Sequence, residues 1–97
     1  MSKLSHDEIT RRMTGLNGWT LEAGAIHKQY TFGGFPQAVQ FVERLVPGAE
    51  ASDHHPDVRI NYKRVTLTYV THSEGGLTEK DFAGAAMADR TAGQQSA

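Results

Sequence analysis

Apolar and polar positions change period four times along the chain, and each change marks a passage between helix and strand. Ser5-His6-Asp7-Glu8 has the form of a capping box, with Leu4 and Ile9 placed as a hydrophobic staple. Ile9, Met13 and Leu16 follow at helical spacing, which predicts a short first helix ended at Gly15 or Gly18. Trp19 to Glu22 alternates as a strand, Ala23-Gly24 turns, and Ile26 to Phe32 alternates again. Ile26, Lys28, Tyr30 and Phe32 share one side of this second strand, with Lys28 expected to snorkel to the edge. After Gly33-Gly34, Pro36 suits a first helical turn. Phe35, Val39, Val42, Leu45 and Val46 recur every three or four residues, predicting an amphipathic helix stopped at Pro47-Gly48.

Val58 to Tyr62 and Val65 to Thr71 alternate in turn and read as an antiparallel hairpin with Lys63-Arg64 in the loop. That register sets Tyr62 opposite Val65, Ile60 opposite Leu67 and Val58 opposite Tyr69, all on one apolar face. One step further it sets His55 opposite His72. Lys-Arg is a poor two-residue loop, because hairpin turns favour Asn-Gly or Asp-Gly. Gly75-Gly76 frees the chain, and Thr78 with Asp81 opens a last helix whose small face includes Phe82, Ala85 and Ala86. Residues 91–97 read as a frayed tail. The order α-β-β-α-β-β-α predicts one α+β domain over residues 1–97, a four-stranded antiparallel sheet with three helices on one face.

Composition narrows the function. The chain has 97 residues and a formal net charge of -1, with no basic excess to suggest nucleic acid. It has no cysteine, hence no disulfide, thiol nucleophile or thiolate metal site. No apolar run reaches the roughly 18–20 residues of a membrane span, and the N-terminus lacks a signal-peptide core. A cytoplasmic protein is the expectation.

Candidate chemistry gathers in Asp53-His54-His55-Pro56 and Thr71-His72-Ser73, which hold three of the five histidines. Imidazole gives or takes a proton near neutral pH without help, so histidines at one end of a hairpin suit proton transfer or metal binding. Exposed histidines at a loop corner are the plain alternative. His6 and His27 read as surface residues.

Glu50-Ala-Ser-Asp-His54-His55-Pro56, then Tyr62, His72, Gly75-Gly76-Leu77-Thr78 and Asp81, resembles the signature of the pterin-4a-carbinolamine dehydratases. Gly18-Trp19 and the stretch from Phe32 to Ala38 resemble that family too, so the likeness spans roughly Leu4 to Arg90. Ser73 departs from it, standing where an acidic residue is frequent.

The resemblance implies dehydration of 4a-hydroxytetrahydropterin to quinonoid dihydropterin, without metal or cofactor. By that likeness His54 and His72 exchange protons, His55 assists, and Asp81 orients His72. Asp53, Pro56, Thr71 and Ser73 would contact the pterin. Tyr62 reads as core. It also implies a homodimer or homotetramer and a functional link to an aromatic amino-acid hydroxylase. A non-catalytic scaffold or coactivator on the same fold is the alternative. A three-histidine metal site ranks last, because adjacent His54 and His55 on an extended segment point to opposite sides.

Overall fold

The computed structural model describes residues 3–95. Its elements are α1 (His6–Met13), β1 (Thr20–Glu22), β2 (Ala25–Thr31), α2 (Phe35–Ser52), β3 (Asp57–Asn61), β4 (Arg64–Tyr69), a 3-10 turn (His72–Glu74) and α3 (Glu79–Gln95). The antiparallel strands lie in the order β1-β2-β4-β3. This is the α+β order expected from the pattern.

Strand alternation builds the core. Ile26 pairs with Tyr69, Lys28 with Leu67 and Tyr30 with Val65 across β2 and β4. Ile26, Tyr30, Val65, Leu67 and Tyr69 are buried against Phe41 and Leu45 of α2 and Phe82, Ala85 and Ala88 of α3. Lys28 does snorkel: its Nζ donates to the Asn17 carbonyl at 2.9 Å and to Asp89 at 2.8 Å. His27, expected at the surface, is half-buried, with ring nitrogens 2.9 Å from Thr68 Oγ1 and 3.1 Å from the Glu22 carbonyl.

Three expectations are corrected. The hairpin register is displaced by two residues: Val58 faces Leu67, Ile60 faces Val65 and Asn61 faces Arg64. The loop is Tyr62-Lys63, and Tyr62 adopts a left-handed φ of 55°. A two-residue slip keeps every side chain on its face, but it puts Tyr62 in the turn, 61% exposed rather than in the core. It also removes the His55–His72 juxtaposition.

Secondly, α2 continues through Pro47 to Ser52. Proline removes one helical hydrogen bond, but packing outweighs the loss. Ala38, Phe41, Leu45 and Ala49 form one buried stripe, and Gly48 lies so close to α3 that a Cβ would meet Met87 Sδ. Thirdly, residues 91–95 extend α3 instead of fraying, because Thr91 is buried and Ala92 packs on the core. Ser96 and Ala97 lie outside the described residues.

β3 is an edge strand exposed along its whole length. Its Val58 borders an open groove of about 160 Å³ with Val42, Leu45, Val46, Ala49 and Pro56. Among the described residues, no helix is long and apolar enough to cross a membrane.

Candidate active site

The site begins at the end of α2. Asp53 caps that helix in the left-handed region, φ 51°, and the His54 N–H closes on the Ala49 carbonyl at 3.1 Å. This is a Schellman-type closure. It turns the chain so that His54 and His55 leave in different directions. The extended stretch through Pro56 then enters β3.

His54 turns inward. Its Nε2 lies 2.5 Å from Asp81 Oδ1, with side-chain exposures of 12% and 0%. Asp81 sits in the first turn of α3 and is fully buried. Its second oxygen accepts from Thr71 Oγ1 at 2.8 Å and from the Thr78 backbone N–H at 2.9 Å. Thr71 and Thr78 hydroxyls are 2.9 Å apart. Removing a carboxylate from water is costly unless its oxygens are satisfied, and here three donors satisfy them. An ionised carboxylate only accepts, so against such a partner the His54 ring presents an Nε2–H and directs Nδ1 away from Asp81.

His55 turns outward. Its Nε2 is 2.6 Å from Glu50 Oε2, in a pair that is more than half exposed on both sides. His72 begins the 3-10 turn after β4 and is exposed. That turn is closed by a Thr71–Gly76 bridge and by Gly75 at φ 74°, a conformation glycine adopts freely. Among the described residues no hydrogen bond reaches the His72 ring. Ser73 is exposed beside it, Asp53 is exposed at the helix cap, and Pro56 is half-buried along the groove.

Two expected contacts differ. Asp81 pairs with His54, not His72, because the start of α3 packs under the end of α2. Thr71, expected at the pterin edge, is buried and directs its hydroxyl at Asp81. Sequence reading also missed Tyr69, whose ring stacks on His54 with centroids 6.1 Å apart. Burial, and then the nearby Asp81, push the Tyr69 phenol up to about 12. A second carboxylate escaped notice as well. Asp89 accepts from Trp19 Nε1 at 3.1 Å, Lys28 Nζ at 2.8 Å and Tyr30 Oη at 2.5 Å. Burial, and then this bond, raise the Tyr30 pKa. No sequence motif links those four positions, and only the fold brings them together.

Among the described residues, no group of three or more histidine, aspartate or glutamate side chains is gathered to hold a metal. His54 and His55 are each engaged by a different carboxylate.

The model of the family described as pterin 4 alpha carbinolamine dehydratase matches residues 2–91. A Sulfolobus acidocaldarius protein provisionally named a pterin-4-alpha-carbinolamine dehydratase is 46% identical over 80 residues, 82% of this chain and 88% of the relative. One from Mycobacteroides abscessus, with the same provisional name, is 40% identical over 94 residues, 97% of this chain and all of the relative. Among solved structures, a transcriptional coactivator/pterin dehydratase from Brucella melitensis matches with a TM-score of 0.89 at 33% identity, covering 93% of this chain and 98% of that one. A pterin dehydratase-like protein identified as a RuBisCO assembly factor in the alpha-carboxysome matches at 0.64 and 25% identity, over 77% and 87% of the two chains.

Proposed function

The chain belongs to the pterin 4 alpha carbinolamine dehydratase family, and we propose that it dehydrates 4a-hydroxytetrahydropterin to quinonoid dihydropterin by histidine general acid–base catalysis. The buried His54–Asp81 pair carries this reading. In the reaction the bond from the carbinol carbon to its hydroxyl breaks, and the adjacent ring nitrogen loses its proton as a double bond forms to that carbon. One group must protonate the departing oxygen and another must accept the nitrogen proton.

His54 suits the base. Asp81 holds the tautomer that offers Nδ1, and its charge compensates the imidazolium formed when the ring takes the proton. His72 suits the acid, since an exposed imidazole draws its proton from solvent and returns there to be recharged. The hydroxyl leaves as water by taking the proton from His72, and the ring-nitrogen proton taken by His54 balances the one given. His55 and Glu50 assist at the rim, and Asp53, Pro56, Thr71 and Ser73 belong to the pterin's surroundings, with Thr71 acting through Asp81.

The proposal extends to a cytoplasmic setting, to supply of the substrate by an aromatic amino-acid hydroxylase, and to self-association as a homodimer or homotetramer. Exposed β3, with Val58 and Ile60 at an unpaired sheet edge, supports self-association. A scaffold role is the second reading, favoured by the likeness to the assembly factor. The test is the rate of loss of freshly generated 4a-hydroxytetrahydropterin, followed by ultraviolet absorbance. Acceleration lost in His54→Ala and His72→Ala supports the enzyme. Folded wild-type protein that gives no acceleration overturns it and leaves the scaffold.

A further inference from the structure

One side chain against the site has no part in the proton transfers above. Tyr69 ends β4 and is 1% exposed, and its hydroxyl is buried with no hydrogen-bond partner among the described residues. Its ring lies against the His54 imidazole, centroids 6.1 Å apart and planes 25° apart, within the range of offset aromatic pairs. Trp19 meets the same ring at 5.9 Å. The ring also presses on α3. A Cβ at Gly84 would lie 2.5 Å from Tyr69 Cε1 and 2.8 Å from Cζ. Glycine is a poor residue for a helix interior, so its use here answers the ring's need for space rather than the helix's need for order.

We propose that Tyr69 and Gly84 form a positioning pair for His54. The phenol ring sets the plane in which the imidazole presents Nε2 to Asp81 and Nδ1 to the substrate, and the bare backbone of Gly84 leaves room for that ring. The ring, not the hydroxyl, is the working part, because the hydroxyl touches no acceptor. Burial keeps the phenol neutral well past the working range of an imidazole. Asp81 from α3 is the charged group that faces both rings. The inference rests on His54 as a proton-transfer group.

The experiment compares Tyr69→Phe, Tyr69→Leu and Gly84→Ala in the full chain, by histidine-ring NMR across pH and by the dehydration rate. In Tyr69→Phe the His54 resonances, their titration and kcat stay as in wild type. In Tyr69→Leu the His54 ring protons lose the phenol's ring-current shift while those of His72 do not move. Its kcat falls roughly tenfold or more, as misplacement of a catalytic group does, with KM little changed. Gly84→Ala moves both readouts in the same direction, and adding it to Tyr69→Leu costs nothing further.

Wild-type His54 resonances and rate in folded Tyr69→Leu would overturn the pair. Should that variant not fold, the same result in Gly84→Ala would overturn it. A loss in Tyr69→Phe equal to that in Tyr69→Leu would also overturn it, by assigning the role to the hydroxyl. If the wild-type chain gives no dehydration, the catalytic reading falls on that result alone, and the pair is judged by the His54 resonances in Gly84→Ala, where the phenol ring is retained: unmoved resonances overturn it.

Discussion

Two aspartates on α3, about two turns apart, make the instructive comparison. Asp81 and Asp89 each collect three donors. Those of Asp81 are the His54 ring, the Thr71 hydroxyl and the Thr78 backbone. Those of Asp89 are Trp19, Lys28 and Tyr30. The carboxylates are chemically the same, and their partners separate them. Indole, ammonium and a raised phenol hold their protons at neutral pH, so Asp89 ties α3 to β2 and to the Trp19 loop. Imidazole exchanges its proton there, so Asp81 governs a group that can do chemistry. A carboxylate that gathers donors is thus a functional signal only through what it holds.

The largest expected effect breaks the Asp81 side. His54→Ala should cost about 10²–10⁴-fold in dehydration rate, with circular dichroism unchanged. Asp81→Asn keeps the shape of the site but turns an amide N–H toward His54 and favours the other tautomer. It should lose roughly tenfold or more.

Next comes the Asp89 side. Asp89→Ala leaves an indole and a phenol short of an acceptor, and urea unfolding should show a loss of about 2 kcal/mol. Its solvent exposure of 30% keeps the figure moderate. Turnover by the folded fraction should be unchanged.

Alkaline pH sharpens the contrast further. The Tyr69 phenol, ordinarily at 10.0, is pushed up to about 12 in the fold. A raised pKa favours the protonated fold, so this contribution is complete below pH 10 and is lost as pH rises from 10 to 12. Tyr30 is raised in the same direction. Thermal melts should therefore fall over that window, and Tyr69→Phe should flatten part of the fall. The smallest effect belongs to the exposed pair at the rim. Glu50→Gln should shift stability by less than about 1 kcal/mol.

Much of this was legible in the chain. The alternation at Val65–Tyr69 assigned the buried face correctly, that at Ile26–Phe32 grouped the residues of one side, and Thr78 three residues before Asp81 announced the cap on α3. The hairpin slip was not legible, because a displacement of two leaves Val58 and Ile60 on the same face and changes only the loop. Pro47 misled because local propensity stops a helix there, whereas Gly48 against Met87 is a tertiary contact. His54, rather than His72, meets Asp81 because of how α2 and α3 cross, and no spacing along the chain encodes that. Tyr69 against Gly84 was hidden for the same reason.

The most direct measurement sets Asp81→Asn beside Asp89→Asn, recording dehydration rate and melting temperature on the same samples. The account predicts a split. Asp81→Asn loses rate, while Asp89→Asn loses melting temperature and keeps its rate per folded molecule. Equal loss of rate in both folded variants, or an Asp81→Asn rate equal to wild type, would contradict it.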